Sequence, residues 1–219
     1  MKAVCISDTH NYHNDVKLPD ADILIHAGDF TMVGSLSEVL EFNEWLGKQE
    51  HNYKIVIAGN HDKCLGVNKT LGLKMITNAI YLQNTGTEIE GKKIWGSPMT
   101  HSFEGMRSGL TFHAPRDGEE LKKTWNNMPD NLDILITHGP PFAILDEVDS
   151  DFTKWYGKEN CGDGMLAAKV IEKKPRYHVF GHIHEGYGQF ISGYGTTFVN
   201  CSVINEAYNL VNEPIVIDI

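Results

Sequence analysis

Hydrophobic positions along this chain fall into five short runs, and each run stops at a residue able to hold a metal ion. Val4-Cys5-Ile6-Ser7 leads into Asp8-Thr9-His10, Ile23 to Ala27 into Gly28-Asp29, and Ile55 to Ala58 into Gly59-Asn60-His61-Asp62. Ile134 to Thr137 leads into His138-Gly139, and Tyr177 to Phe180 into Gly181-His182-Ile183-His184. Their length and β-branched character predict strands buried on both faces, the pattern of a parallel sheet. In open α/β sheets, ligands gather just past the carboxyl ends of strands. Five exits carrying His, Asp or Asn therefore point to one shared site.

A different period separates these runs. Leu36, Val39, Leu40 and Leu46 recur at helical spacing with Phe42 and Trp45, and Ser35-x-x-Glu38 forms a capping box. Together they predict a helix over Leu36 to Gly47, packed on the sheet and without chemistry of its own. Two more helices are predicted over Glu119 to Asn127 and Met165 to Lys174, the second stopped by Pro175. Added antiparallel strands are expected near Glu88 to Trp95. A hairpin is expected from Tyr187 to Ile191 and Thr196 to Asn200, and a closing strand from Ile215 to Ile219. Ser97 to Asp117 carries no period, and so long a loop in a compact domain is usually functional or mobile. No repeat, low-complexity tract or linker interrupts the chain. The expectation is one mixed α/β domain over residues 1–219, built as a sandwich of two sheets.

Composition narrows the classes. The chain's 219 residues suffice for one large domain, and 41% apolar with 22% charged residues is ordinary for a soluble globular protein. No apolar stretch approaches the ~20 residues of a membrane span. Met1-Lys2-Ala3-Val4 passes into a strand without a secretory-signal pattern. Cys5, Cys64, Cys161 and Cys201 show no Cys-x-x-Cys spacing, which fits reduced thiols in a cytoplasmic protein rather than a disulfide framework. A net charge of −10 weighs against duplex nucleic acid as a partner. A small phosphate ester stays open, because two bound divalent cations would dominate the local field.

Singly, each motif is weak. Asp-x-His recurs by chance, Gly-Asp is most often a turn, and His138 before Gly139-Pro140-Pro141 reads equally as a loop histidine. In this order and at strand ends, the motifs predict one another. A two-metal site for phosphoester hydrolysis holds its ions about 3.5–4 Å apart. That demands a bridging carboxylate, for which Asp29 is the natural candidate. Residues two apart in extended chain share a face, so Asp8 with His10, and His182 with His184, are expected to present paired ligands. Asn60 adds a neutral carbonyl oxygen. Imidazole and carboxylate without thiolate suit two divalent transition-metal ions (Mn, Fe, Zn or Ni) rather than Ca, with Mn expected to support activity.

From Ser7 to Tyr187, Asp8-x-His10, Gly28-Asp29, Gly59-Asn60-His61-Asp62, His138 and Gly181-His182-x-His184 together resemble the full signature of the calcineurin-like metallophosphoesterases. The resemblance implies a four-layer α/β/β/α sandwich and a dinuclear centre. It places Asp8, His10, Asp29 and His184 on one ion, and Asp29, Asn60, His138 and His182 on the other, with His61 as the catalytic histidine. Ser7 to His10, His26 to Thr31, Ile134 to Pro141 and Gly181 to Gly188 are similar to a small branch of animal metallophosphoesterase-domain proteins expressed in fetal brain. That branch is associated with phosphodiesterase activity, including on cyclic nucleotides. Some of its members have lost a metal-binding His in the last motif, whereas His182 is kept here. Ser/Thr protein phosphatases continue the Gly-Asp block with Asp-Arg-Gly. Here it continues Phe30-Thr31-Met32-Val33-Gly34, so the arginine they use on phosphate is absent.

The implied reaction is in-line displacement at phosphorus by a hydroxide bridging two ions, with His61, oriented by Asp62, protonating the leaving oxygen. The expected substrates are small phosphodiesters, cyclic nucleotides first among them. Discrimination among them is expected from Asn11 and His13 past the first motif, from Arg107, His113 and Arg116 in the unpatterned segment, and from Glu185 to Tyr187 past the last. The competing reading of both arginines is a solvated surface charge. Competing functions are a phosphomonoesterase, a nuclease of the same fold, and a non-catalytic protein-binding scaffold. The last is the role of the retromer-subunit branch, which has lost the histidine that His61 retains.

Overall fold

All five apolar runs form strands at the interior of two sheets in a computed structural model that describes residues 1–67, 69–102, 111–148 and 159–219. In the first sheet, β1 (Lys2–Ile6), β2 (Ile23–His26), β3 (Tyr53–Val56) and β4 (Ile80–Tyr81) run parallel. The second sheet is built on β6 (Lys92–Ser97), β9 (Ile134–Thr137), β12 (Tyr177–Phe180) and β14 (Thr197–Asn200), also mutually parallel. Antiparallel strands close the edges: β5 (Thr85–Ile89) beside β6, β13 (Gly188–Ile191) beside β14, and β15 (Ile215–Asp218) beside β1. Two small ladders stand apart, β7 (Thr100–Ser102) with β8 (His113–Pro115), and β10 (Glu147–Val148) with β11 (Glu159–Asn160).

Strand periodicity explains why the runs lack polar alternation. Ala3 and Cys5 face the second sheet, where Ile23, Ile25, Ile55 and Ile57 meet Ile94, Ile134, Ile136, Val179 and Val199. Val4 and Ile6 point the other way, to Val39, Phe42 and Leu46 of α1 (Leu36–Gly47). On the far side, α4 (Glu119–Asn126) and α5 (Gly164–Lys173) lay Leu121, Trp125, Leu166 and Val170 over Leu135, Phe180 and Phe198. Every central strand is thus covered on both faces, giving the four-layer α/β/β/α sandwich. Two short helices, α2 (Lys63–Val67) and α3 (Lys69–Met75), carry too few apolar residues to show a period and add Leu65 and Leu71 to the first outer layer. The capping box at α1 forms as expected, with Ser35 Oγ accepting from Glu38 N at 3.3 Å.

Two buried histidines make the fold acid-sensitive. His26 Nδ1 accepts from Gly28 N at 3.3 Å, so its proton sits on Nε2, which donates to Thr9 Oγ1 at 3.0 Å. Thr137 Oγ1 donates to Gly139 O, so His178 Nε2–H donates to that hydroxyl at 2.8 Å. Both rings are neutral, and burial pushes each pKa down to about 3. An unfolded histidine titrates near 6.5. Between the two values the unfolded chain takes up protons that the native chain refuses, so stability falls as pH drops below about 6.5. Each ring contributes up to ~1.4 kcal/mol per pH unit. Chemical denaturation from about pH 7.5 to about pH 5, with metal chelated throughout, should show this slope, and His178→Gln should make it shallower. An unchanged slope in that variant contradicts the assignment.

Candidate metal centre

The exits of β1, β2 and β3 meet those of β9 and β12 where the two sheets abut. Asp8 N donates to Gly28 O at 2.9 Å, and Gly181 N donates to His138 O at 3.0 Å. Glycines let these loops touch. A Cβ at Gly28, which has φ +101°, would collide with His138 and the Ala58 carbonyl, and one at Gly181 would collide with Asp8 and Ser7. Ligand atoms of Asp8, His10 and His184 lie within 4.8 Å of one another, as do those of Asp29, His138 and His182, and those of His10, Asp29 and His61. Asp29 sits where the sets meet, its Oδ2 3.3 Å from His138 Nε2 and 3.8 Å from His10 Nε2. Asn60 Oδ1 is 2.9 Å from His138 Nε2.

The strand period does not pair these ligands, contrary to the sequence-based expectation. Asp8, His10, Asp29 and His182 adopt φ values of 55°, 39°, 55° and 69°, and His184 opens a 3-10 turn. Left-handed backbone costs an L-residue about 1–2 kcal/mol. Four such residues at one place mark strain held by the surrounding fold, a common property of functional sites.

Three imidazoles are held alike. A carbonyl oxygen only accepts, so His10 Nδ1–H donates to Thr31 O at 3.1 Å, His138 Nδ1–H to Ala27 O at 3.0 Å and His184 Nδ1–H to Asn205 O at 3.1 Å. With the rings neutral, each Nε2 would then offer its lone pair toward the carboxylates, as in metal-ligating histidines. Buried Asp8 Oδ1 and His10 Nε2 have no hydrogen-bond partner among the described residues. Such atoms are costly in a dry interior, and a divalent cation would satisfy both. The donor set of imidazole, carboxylate and one amide fits a divalent transition metal. Burial opposes the charge on Asp8, yet His184, His138 and His10 outweigh it and hold the carboxyl well below its usual range. Burial likewise opposes a proton on His138, but Asp29 and Asp8 push that ring up to about 9. Charge at this site is thus strongly balanced between acid and imidazole.

His61 stands half-buried beside this cluster, its ring 4.6 Å from that of His10. Its orienting partner corrects the expectation from sequence. Asp62 does not reach the His61 ring. Its carboxylate turns inward to accept from Asp29 N, Gly59 N, Thr31 N and Thr31 Oγ1 at 2.7–3.0 Å, pinning the loops that carry Asp29 and Asn60. His61 Nδ1–H donates instead to Met32 O at 2.8 Å, and the His61 backbone N–H donates to Asp29 Oδ1 at 2.7 Å.

The residues expected at the mouth divide. His113 arrives beside the centre, 6.1 Å from the His182 ring, and burial and His138 hold its pKa at about 4. His13 does not arrive. A 3-10 turn over Tyr12–Asn14 buries it against Phe42 and Trp45, at ring distances of 5.4 and 5.3 Å, so it is a core side chain. Asn11 is exposed and gives its amide to Glu38 at 2.7 Å. Arg116 donates to His101 Nε2 at 3.0 Å, and Tyr187 gives its hydroxyl to Glu213 O. Arg107 lies outside the described residues. One residue at the mouth had no signal in the sequence. Tyr208, held at φ 60° in a turn whose Asn205 carbonyl also holds His184, lies 4.9 Å from His10, 5.6 Å from His184 and 6.4 Å from His61, measured between rings.

The chain is similar to known proteins in sequence and in fold. Residues 1–186 match the family described as calcineurin-like phosphoesterase. Metallophosphoesterase domain-containing protein 1 of Homo sapiens is 42% identical over 239 residues, covering 99% of this chain and 70% of that protein. A UPF0046 protein of Caenorhabditis elegans is 38% identical, covering 99% of this chain and 74% of its own length. Among solved structures, a phosphopantetheinyl hydrolase from Mycobacterium tuberculosis shares the fold with a TM-score of 0.63 at 16% identity, over 94% of this chain and 90% of that one. The protein TT1561 of Thermus thermophilus does so with a TM-score of 0.61 at 15% identity, over 91% and 88%. The five strand exits all fall within the matched residues, and the chain belongs to the calcineurin-like phosphoesterase family.

Proposed function

We propose that this phosphoesterase works through a dinuclear centre and hydrolyses small phosphodiesters. The observation that carries the reading is the Asp29 carboxylate, shared between the ligand set of His10 and that of His138 and His182. Asp8, His10, Asp29 and His184 would hold one divalent ion, and Asp29, Asn60, His138 and His182 the other. Such a pair, when bound, supplies an activated water near neutral pH and offsets charge on the phosphoryl oxygens.

The rest falls to the chain itself. With its Nδ1 proton committed to Met32 O, His61 has only Nε2 with which to deliver a proton to the leaving oxygen. Tyr208 flanks the set of His10 and His184, while His113 flanks that of His138 and His182. Two aromatic flanks suit a phosphorus carrying two ester groups, at least one of them a flat ring such as a nucleobase.

A screen of Mn²⁺-loaded protein tests this reading. Hydrolysis should require metal and be faster for diesters, cyclic nucleotides included, than for matched monoesters. Tyr208→Ala should raise KM for a nucleoside ester by about tenfold, the scale of one lost stacking contact. Preference for monoesters overturns the substrate reading. Absence of hydrolysis of every ester favours a binding scaffold.

A further inference from the structure

We infer that Glu38, the capping residue of α1, is a positioning residue that fixes the orientation of both His10 and His61. The inference rests on the phosphoesterase reading for its catalytic consequence. Its two carboxylate oxygens do separate things. Oε2 accepts from Ser35 N and Ser35 Oγ, each at 2.7 Å, and so completes the capping box. Oε1 turns to the loops that follow β1 and β2 and accepts from Met32 N at 3.0 Å, Val33 N at 3.1 Å and Asn11 Nδ2 at 2.7 Å.

The two backbone donors are the important ones. Met32 N–H shares a peptide plane with Thr31 C=O, and Val33 N–H shares one with Met32 C=O. Neither peptide is cis. In a trans peptide the N–H and C=O point in opposite directions from one rigid plane. On the far side of the first plane, Thr31 O accepts from His10 Nδ1 at 3.1 Å. On the far side of the second, Met32 O accepts from His61 Nδ1 at 2.8 Å. One carboxylate oxygen therefore clamps both planes that set the ring angles of a metal-ligand candidate and of the proton donor. Asn11 brings in the chain just past His10, tying the first exit loop to the same oxygen.

Charge strengthens the clamp. Partial burial opposes the anion, but the donors from Asn11, Ser35 and Val33 outweigh it and hold the Glu38 carboxyl at about 2. Hydrogen bonds to an ionised acceptor are roughly twice as strong as neutral ones. Asp62 accepts from the N–H and the hydroxyl of Thr31, so the residue whose carbonyl holds His10 has a second anchor. The second plane, which serves His61, has no such support from Asp62.

Three variants separate positioning from helix capping. Ser35→Ala removes the hydroxyl's two capping bonds, to Oε2 and from Glu38 N, while Ser35 N–H and the Oε1 contacts stay. Glu38→Ala removes both carboxylate oxygens. Glu38→Gln retains one acceptor oxygen for the peptide planes. Outer-shell partners of metal sites are typically worth about 10–100-fold in affinity or activity. Glu38→Ala should lower kcat on an alkyl phosphodiester by about that factor, with a smaller loss on a nitrophenyl ester whose leaving group needs no proton. It should also weaken Mn²⁺ binding, measured directly by titration calorimetry, through His10. Ser35→Ala should lose thermal stability while keeping kcat and Mn²⁺ affinity, and Glu38→Gln should recover most of both. Equal losses of kcat and Mn²⁺ affinity in Ser35→Ala and Glu38→Ala would make Glu38 a helix cap alone and overturn the inference. A wild-type protein that hydrolyses nothing would sink the phosphoesterase reading. The Mn²⁺ affinities of the three variants would still decide the clamp.

Discussion

His61→Ala is expected to lower turnover of alkyl and nucleoside esters by about 10²–10⁴-fold, the usual contribution of general acid catalysis, with metal content unchanged. Metal retention follows from which atom touches the centre. The hydrogen bond to Asp29 Oδ1 comes from the His61 backbone N–H, and alanine keeps it. The ring alone is lost, and with it the proton delivered from Nε2. A nitrophenyl leaving group is acidic enough to depart with less help, so its hydrolysis should suffer less. Parallel steady-state kinetics on the two ester classes, with metal analysis of the same samples, check this. Equal impairment counts against the acid role. Because His61 lies within ligand distance of His10 and Asp29, loss of an ion in the variant would instead make it a metal ligand.

Asp29→Ala is expected to have the larger effect. It removes the carboxylate that faces both His10 Nε2 and His138 Nε2 and also accepts the His61 backbone N–H. Bound metal should fall below the wild-type stoichiometry, and hydrolysis of every ester, activated or not, should disappear with it. Leaving-group chemistry cannot rescue a centre that no longer assembles, which distinguishes this variant from His61→Ala. Asp62→Ala should resemble Asp29→Ala more than His61→Ala, because its carboxylate holds Asp29 N and Gly59 N rather than the His61 ring.

The fold and the residues that gather at the strand exits were legible because they are written in residue type and order. Val4 to Ser7, Ile23 to Ala27 and Ile134 to Thr137 read as doubly covered strands from their length and β-branched character, and their exits carried Asp8, Asp29 and His138. Several features were not legible, because they depend on backbone atoms that every residue shares. Nothing in the types of Thr31 and Met32 says that their carbonyls will meet His10 and His61. Neither does Ser35-x-x-Glu38 say that the second carboxylate oxygen holds the Met32 and Val33 amides. Left-handed φ at Asp8, His10, Asp29 and His182 replaced the strand alternation assumed for the paired ligands. His13 misled because nearness in sequence to His10 is not nearness in space. One 3-10 turn sends it into the core beside Phe42 and Trp45. Tyr208 comes from beyond the matched residues 1–186, in a turn with no strand-exit motif, and only packing against His10 and His184 reveals it.

The central claim is that Asp29 joins two metal positions into one hydrolytic centre. Its most direct test is a Mn²⁺ titration of chelator-stripped protein, counting bound ions and following hydrolysis of a phosphodiester in the same samples. Saturation is expected at two ions per chain, with no hydrolysis without metal and activity that rises with occupancy of the second position. Saturation at one ion with full activity, or hydrolysis that persists in excess chelator, would contradict it.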